Sequence, residues 1–194
     1  VKRVDGDLVV EGQKHGIEVE LRHPDDGESF YTSNSDASID ELRDMSSQDI
    51  GAQVVEGDIA PEMIERRTGY DVLYADKGGT DPGIDLIAKD GDDYVITEVK
   101  FTRQGKTPGK GMLDSYRDGA RQMKNNWIDD AFGDEISSSD MDEYTEVRSA
   151  IRTEDYRKEI FVVQDGPAGK SITSGLTDFD IDDVNIIRTS GVTQ

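Results

Sequence analysis

Asp85, Glu98 and Lys100 are two carboxylates and a lysine set into otherwise apolar sequence. Gly83-Ile84-Asp85-Leu86-Ile87-Ala88 and Tyr94-Val95-Ile96-Thr97-Glu98-Val99-Lys100-Phe101 are β-rich runs. Between them lies Lys89-Asp90-Gly91-Asp92-Asp93, the Asp-Gly signal of a hairpin. In the second run, alternation places Ile96, Glu98 and Lys100 on one face and Val95, Val99 and Phe101 on the other. Charges in so apolar a strand are costly unless paired or metal-bound. Asp85, in the preceding strand, reaches the same end of the hairpin. Together the three make a hard-oxygen site for a divalent ion, with a cation beside it. The competing reading is an ordinary amphipathic hairpin with a Glu–Lys pair on its surface.

Gly-Ile-Asp-Leu-Ile followed about a dozen residues later by Glu-x-Lys resembles the PD-(D/E)xK core. That core is shared by restriction endonucleases, Holliday-junction resolvases and many toxin nucleases. The resemblance implies an α/β, restriction-endonuclease-like fold, a mixed central sheet flanked by helices. It implies metal-assisted phosphodiester hydrolysis, with Asp85, Glu98 and Lys100 as catalytic residues. Mg²⁺ or Mn²⁺ would be held by Asp85, Glu98, the carbonyl of Val99 and an acid from a preceding helix. Glu56 is the choice for that acid and Asp58 its competitor, and both also read as plain helix surface. Lys100 would orient the attacking water or stabilise charge on the phosphorane.

A second likeness lies downstream. Gln122-Met123-Lys124-Asn125-Asn126-Trp127-Ile128 is similar to a Gln-Met-x-x-x-Trp-Ile segment in the C-terminal nuclease domains of polymorphic and contact-dependent toxins. It implies a toxin or effector with a cognate immunity protein, and a Gln122 that touches substrate or a metal-bound water. A repair or restriction endonuclease, or a non-catalytic nucleic-acid-binding domain, are the alternatives. The two likenesses cover about residues 50–130.

The elements that carry these residues follow from periodicity. Residues 1–45 are expected to be a β-rich extension, with strands at Asp7–Glu11, Gly16–Leu21 and Ser29–Thr32, and residues 46–194 the nuclease-like domain. From Ser46 to Thr68 the period is helical: Ala52, Glu56, Ile59 and Met63 share a face, Pro61 kinks or restarts the helix, and Gly69 stops it. Tyr70–Tyr74 reads as a strand. Tyr116, Ala120, Met123 and Trp127 suggest one helix over Met112–Phe132, with Gln122 upon it and Trp127 in the core. Gly133–Glu143, acidic and serine-rich, reads as a linker or exposed loop, Tyr144–Tyr156 as a helix, and Glu159–Gln164 and Val184–Arg188 as strands.

Charge divides the chain. The formal charge is −21, and Asp outnumbers Glu 29 to 14. These acids are spread through periodic segments rather than gathered in a tail, which resembles the acid coat of halophilic proteins. Between Lys100 and Lys124 the sign inverts, with seven bases against two acids. A polyanion partner explains such an island; a solvated face balancing acids elsewhere is the plainer alternative. Arg103, Lys106, Arg117 and Arg121, with Gln122, are the candidate nucleic-acid contacts, DNA being favoured over RNA. There is no cysteine, and His15 and His23 are the two histidines, so thiolate zinc sites and histidine clusters are excluded. No apolar run reaches membrane-spanning length, and no membrane partner is expected. The first residue, Val1, suggests a piece of a longer toxin, secreted or delivered; otherwise a cytoplasmic location is expected.

If the acid coat is a halophilic adaptation, the melting temperature should rise by many degrees between roughly 0.1 and 2 M KCl, as screening becomes nearly complete. A flat profile in differential scanning calorimetry would contradict that reading.

Overall fold

The computed structural model describes residues 10–13, 16–22, 30–35, 55–56, 60–76, 83–102, 113, 116–117, 119–165 and 179–189. Among them, in chain order, are β1 (Val10–Gln13), β2 (Gly16–Arg22), β3 (Phe30–Ser35), α1 (Ala60–Thr68), β4 (Asp71–Ala75), β5 (Leu86–Asp90) and β6 (Asp93–Thr102). There follow β7 (Tyr116–Arg117), β8 (Ala120–Arg121), α2 (Asn125–Glu135), α3 (Tyr144–Thr153), β9 (Arg157–Asp165) and β10 (Asp183–Thr189). Val55 and Glu56 form part of a further helical turn. The class is α/β, a mixed sheet flanked by helices.

The centre of the sheet runs β10-β9-β6-β5-β4. β4, β5 and β6 are antiparallel neighbours, whereas β6, β9 and β10 are parallel. The hairpin between β5 and β6 turns at Gly91, whose φ of +63° suits a residue without Cβ. The amino-terminal strands extend this same sheet. β2 pairs with β3 along one edge, and its other edge is shared between β1 and the Arg188–Thr189 end of β10.

α1 begins with Pro61 in its first turn, so the proline restarts a helix here rather than kinking one. It ends where Gly69, at φ +77°, donates to the Glu65 carbonyl at 2.8 Å. Its Met63 and Ile64 are buried, and it packs against β3 and β4. α2 and α3 cover the sheet face that carries Ile87 and Ile96. Trp127, Ile128, Ala131 and Phe132 from α2 meet Val147 and Ile151 from α3 there. A second cluster on the same side of β9 joins Ile160 and Val162 to Leu113, Met123 and Phe179. Lys158 is buried beside it, donating to the Phe179 carbonyl at 2.6 Å and to Asn125 Oδ1 at 3.1 Å. It thereby ties the start of α2 to the segment before β10.

Two expectations are corrected. Tyr116–Arg117 and Ala120–Arg121 pair as two short antiparallel strands rather than lying on a helix, with Gly119 at φ +84°. Asp118-Gly119 repeats the Asp-Gly signal of the larger hairpin, and the helical spacing of Ala120, Met123 and Trp127 is a coincidence. Ala120 and Trp127 belong to one cluster and Met123 to the other. The stretch 133–143, expected as a linker or exposed loop, has exposed turns at 137–140, but it is tied to the core and starts later. α2 continues to Glu135, Ile136 and Met141 are buried, and Asp140 Oδ2 accepts from the Ser137 N–H at 2.7 Å.

Trp127 is fully buried, yet among the described residues its indole N–H has no acceptor. Trp127→Phe removes that unsatisfied donor together with some volume and should cost less than about 2 kcal/mol. Trp127→Ala should cost about 3–5 kcal/mol. Chemical denaturation distinguishes them, and equal losses would show that the indole N–H is satisfied in solution.

Candidate active site

β5 pairs with β6 only as far as Leu86 opposite Thr97, while β9 accompanies β6 on to Thr102. The sheet therefore forks. Beyond Thr97, β6 keeps a neighbour on one side and opens on the other, and Asp85 sits at the mouth, one residue before β5. Continuing the β5–β6 register would set Asp85 opposite Glu98. The Asp85 carboxylate instead takes over the ladder, its Oδ2 accepting the Val99 N–H at 2.7 Å. A strand residue presents N–H and C=O to the same edge, so the Val99 carbonyl also points into the fork.

Asp85 and Glu98 are both buried, Glu98 to 1% exposure. That removes the surface Glu–Lys pair as an explanation. Glu98 Oε1 receives Lys100 Nζ in an ion pair and Gln122 Nε2 at 2.6 Å. Glu98 Oε2 is buried without a hydrogen-bond donor. Burial first, and the adjacent Glu98 second, push Asp85 well above the carboxylate range, against the Lys100 charge and the Val99 N–H. Burial likewise raises Glu98, against the pull of Lys100. Burial also works against charge on Lys100, but Glu98, Asp85 and Glu56 outweigh it and hold the ammonium more firmly than in a free lysine.

Glu56 belongs to the same electrostatic neighbourhood. Burial, then Asp85 and Asp76, raise it to about 8, with Lys100 opposing. Among the described residues, however, no group of three or more His, Cys, Asp and Glu is drawn together tightly enough to hold an ion by itself. Glu56 thus faces Asp85 and Glu98 electrostatically without completing a ready-made cage. Its competitor Asp58 lies outside the described residues.

The chemistry of the donor set fits a hard divalent cation. Asp85, Glu98 and the Val99 carbonyl offer oxygen, and among the described residues no donor meets Glu98 Oε2. Gln122 reaches Glu98 from the turn between β8 and α2, not from a helix as its spacing implied. Arg121 lies against Phe179, its guanidinium carbon 4.8 Å from the ring centre, and its Nε donates to the Leu113 carbonyl at 3.0 Å. Lys124 approaches the same ring at 5.2 Å. Part of the basic island is therefore anchored on one buried aromatic near the site. Arg103 and Lys106 lie outside the described residues, and of Arg117 only the backbone is described.

No family model, curated protein or solved structure matches this chain. Its site accordingly stands on its own geometry. No helix among the described residues is long and apolar enough to cross a membrane.

The raised Glu56 gives a signed pH dependence. A carboxylate lifted from 4.5 to about 8 on folding favours the folded state fully below its unfolded value, and that contribution is lost as pH rises through about 8. Without divalent ions, Glu56→Gln should therefore melt higher than the parent at pH 9, by roughly 2–4 °C per kcal/mol relieved. The two curves should meet near pH 5. Parallel curves in chelator-treated samples would place Glu56 in water rather than in the site.

Proposed function

We propose that this chain is a metal-dependent nuclease of the PD-(D/E)xK kind, hydrolysing phosphodiester bonds, with DNA the favoured substrate. The observation that carries the reading is the pair of buried carboxylates, Asp85 and Glu98, held across the fork of the sheet with Lys100 on Glu98. Asp85, Glu98 and the Val99 carbonyl would hold Mg²⁺ or Mn²⁺, with Glu56, which feels the charge of Asp85, joining them only through water. Such an ion, when bound, polarises the scissile phosphate and lowers the pKa of a coordinated water.

The remaining work falls to the chain's own groups. Glu98, Asp85 and Glu56 favour the charged form of Lys100. Its ammonium would orient the attacking water or offset the negative charge that grows on the phosphoryl oxygens. Asp85 locks the Val99 backbone at the fork, which fixes the carbonyl beside it. The basic island from Lys100 to Lys124 supplies attraction for a polyanion in a chain that otherwise repels one. The likeness of residues 122–128 to toxin nucleases supports an effector role and a cognate inhibitor as partner.

Plasmid and tRNA digestion with Mg²⁺ or Mn²⁺, at molar and low salt, tests the reading. Asp85→Ala and Glu98→Ala should each lower turnover at least about 100-fold without loss of fold, since each removes a charge from a crowded acidic site. Lys100→Ala should lower kcat with KM little changed. Undiminished cleavage in excess chelator, or full activity in either carboxylate variant, would defeat the assignment. Binding of nucleic acid without cleavage under any of these conditions would favour a non-catalytic domain of this fold.

A further inference from the structure

Gln122 is 3% exposed, and the orientation of its amide is dictated by its neighbour. A carboxylate oxygen can only accept, so the atom 2.6 Å from Glu98 Oε1 is the amide nitrogen. Among the described residues the amide oxygen, Oε1, is then left buried without a donor, as is Glu98 Oε2, whose carboxyl lies against that of Asp85. Two acceptors on two side chains bonded to each other are thus both unsatisfied, where buried polar atoms are almost always paired. Lys100 is engaged on Glu98 Oε1 and the Val99 N–H on Asp85.

The backbone supports this placement. Met123 adopts φ +64°, a left-handed conformation uncommon for a residue with a side chain. It is held there by burial of the methionine among Leu113, Ile160, Val162 and Phe179. This sharp turn lets consecutive residues part company, Met123 into the apolar cluster and Gln122 onto Glu98. Strained backbone of this kind gathers at functional sites.

We propose that Gln122 is part of the ion site. Nε2 fixes the Glu98 carboxylate, and Oε1 supplies a bound divalent cation with a neutral oxygen ligand beside Asp85 and Glu98. The assignment rests on the metal reading above and deepens it. Hard divalent cations take oxygen ligands, and the amide oxygen would join Asp85, Glu98 and the Val99 carbonyl in that set. No third acid among the described residues is gathered with them, and an amide oxygen adds a ligand without adding negative charge.

The test is Mn²⁺ binding to the full chain without substrate, read by the paramagnetic resonance of free Mn²⁺. Gln122→Met keeps the bulk but has neither oxygen nor N–H, and its dissociation constant should rise at least about tenfold. Its ion-free melting temperature should fall, because the buried Glu98 carboxylate loses the bond from Nε2. Gln122→Glu keeps an oxygen but loses the N–H, and should bind Mn²⁺ as tightly as the parent or more tightly. Gln122→Met within twofold of the parent overturns the proposal. So does Gln122→Glu binding as weakly as Gln122→Met, since Nε2 alone would then matter. If Gln122→Met fails to fold by circular dichroism, Gln122→Glu against the parent decides by the same criterion. A parent chain that binds no Mn²⁺ would overturn the metal reading itself, an outcome distinct from equal binding by parent and variant.

Discussion

Two acids of like charge held side by side out of water are the constraint around which this fold is arranged. Isolated buried carboxylates cost several kcal/mol each even after relaxation. Each nearby feature reduces that cost. β5 stops at Leu86, so that Asp85 can take the Val99 N–H in place of a ladder bond. Lys100, two residues along the same face of β6, brings the compensating positive charge. Gln122 arrives from another part of the chain to hold the oxygen that Lys100 shares. Yet Asp85, Glu98 and Glu56 are all raised, so the compensation is incomplete. A site left short of positive charge in the free chain is disposed to accept a cation.

Asp85, Glu98 and Lys100 could be found from the sequence because strand alternation is a local property. Once Asp90-Gly91 marks the turn, the side of β6 on which Glu98 and Lys100 stand follows from counting. The helix at Tyr144–Thr153 was readable for the same reason, whereas the burial of Trp127 was expected from a stripe that the structure breaks up. Gln122 was named through a likeness, but its setting was misread. Ala120, Met123 and Trp127 mimic a helical stripe while belonging to two clusters on a sheet, and only the pairing of β9 with β6 separates them. The fork is likewise a tertiary fact. It depends on where β5 ends relative to β9, two strands about seventy residues apart in the chain. Lys158 drew no notice at all, since a lysine at the start of a strand reads as solvent-facing until the Phe179 carbonyl is set against it.

The electrostatics of the surface and of the site pull in opposite directions. A chain of charge −21 repels nucleic acid at long range, and the island from Lys100 to Lys124 acts against that field. Stacking Arg121 and Lys124 on one buried ring fixes cations in place at modest entropic cost. High ionic strength would shorten the reach of the repelling coat while sparing contacts made at close range. A short-range anchor is therefore the more useful device for such a protein than a diffuse basic surface.

The mixed pairing of β6 also bears on the route by which the chain assembles. Its antiparallel partner is joined to it by a tight turn, and Asp85 meets Val99 across 14 residues. Its parallel partner β9 begins opposite Val95 at Arg157, so that pairing closes a loop several times longer. Loop entropy favours the hairpin first. The two carboxylates then come together while water still surrounds them, where their repulsion is slight. The penalty is met later, as β9, α2 and the Gln122 turn close over the fork. An ion captured by the open hairpin would ease that final closure, making folding rate, and not stability alone, a property of the site.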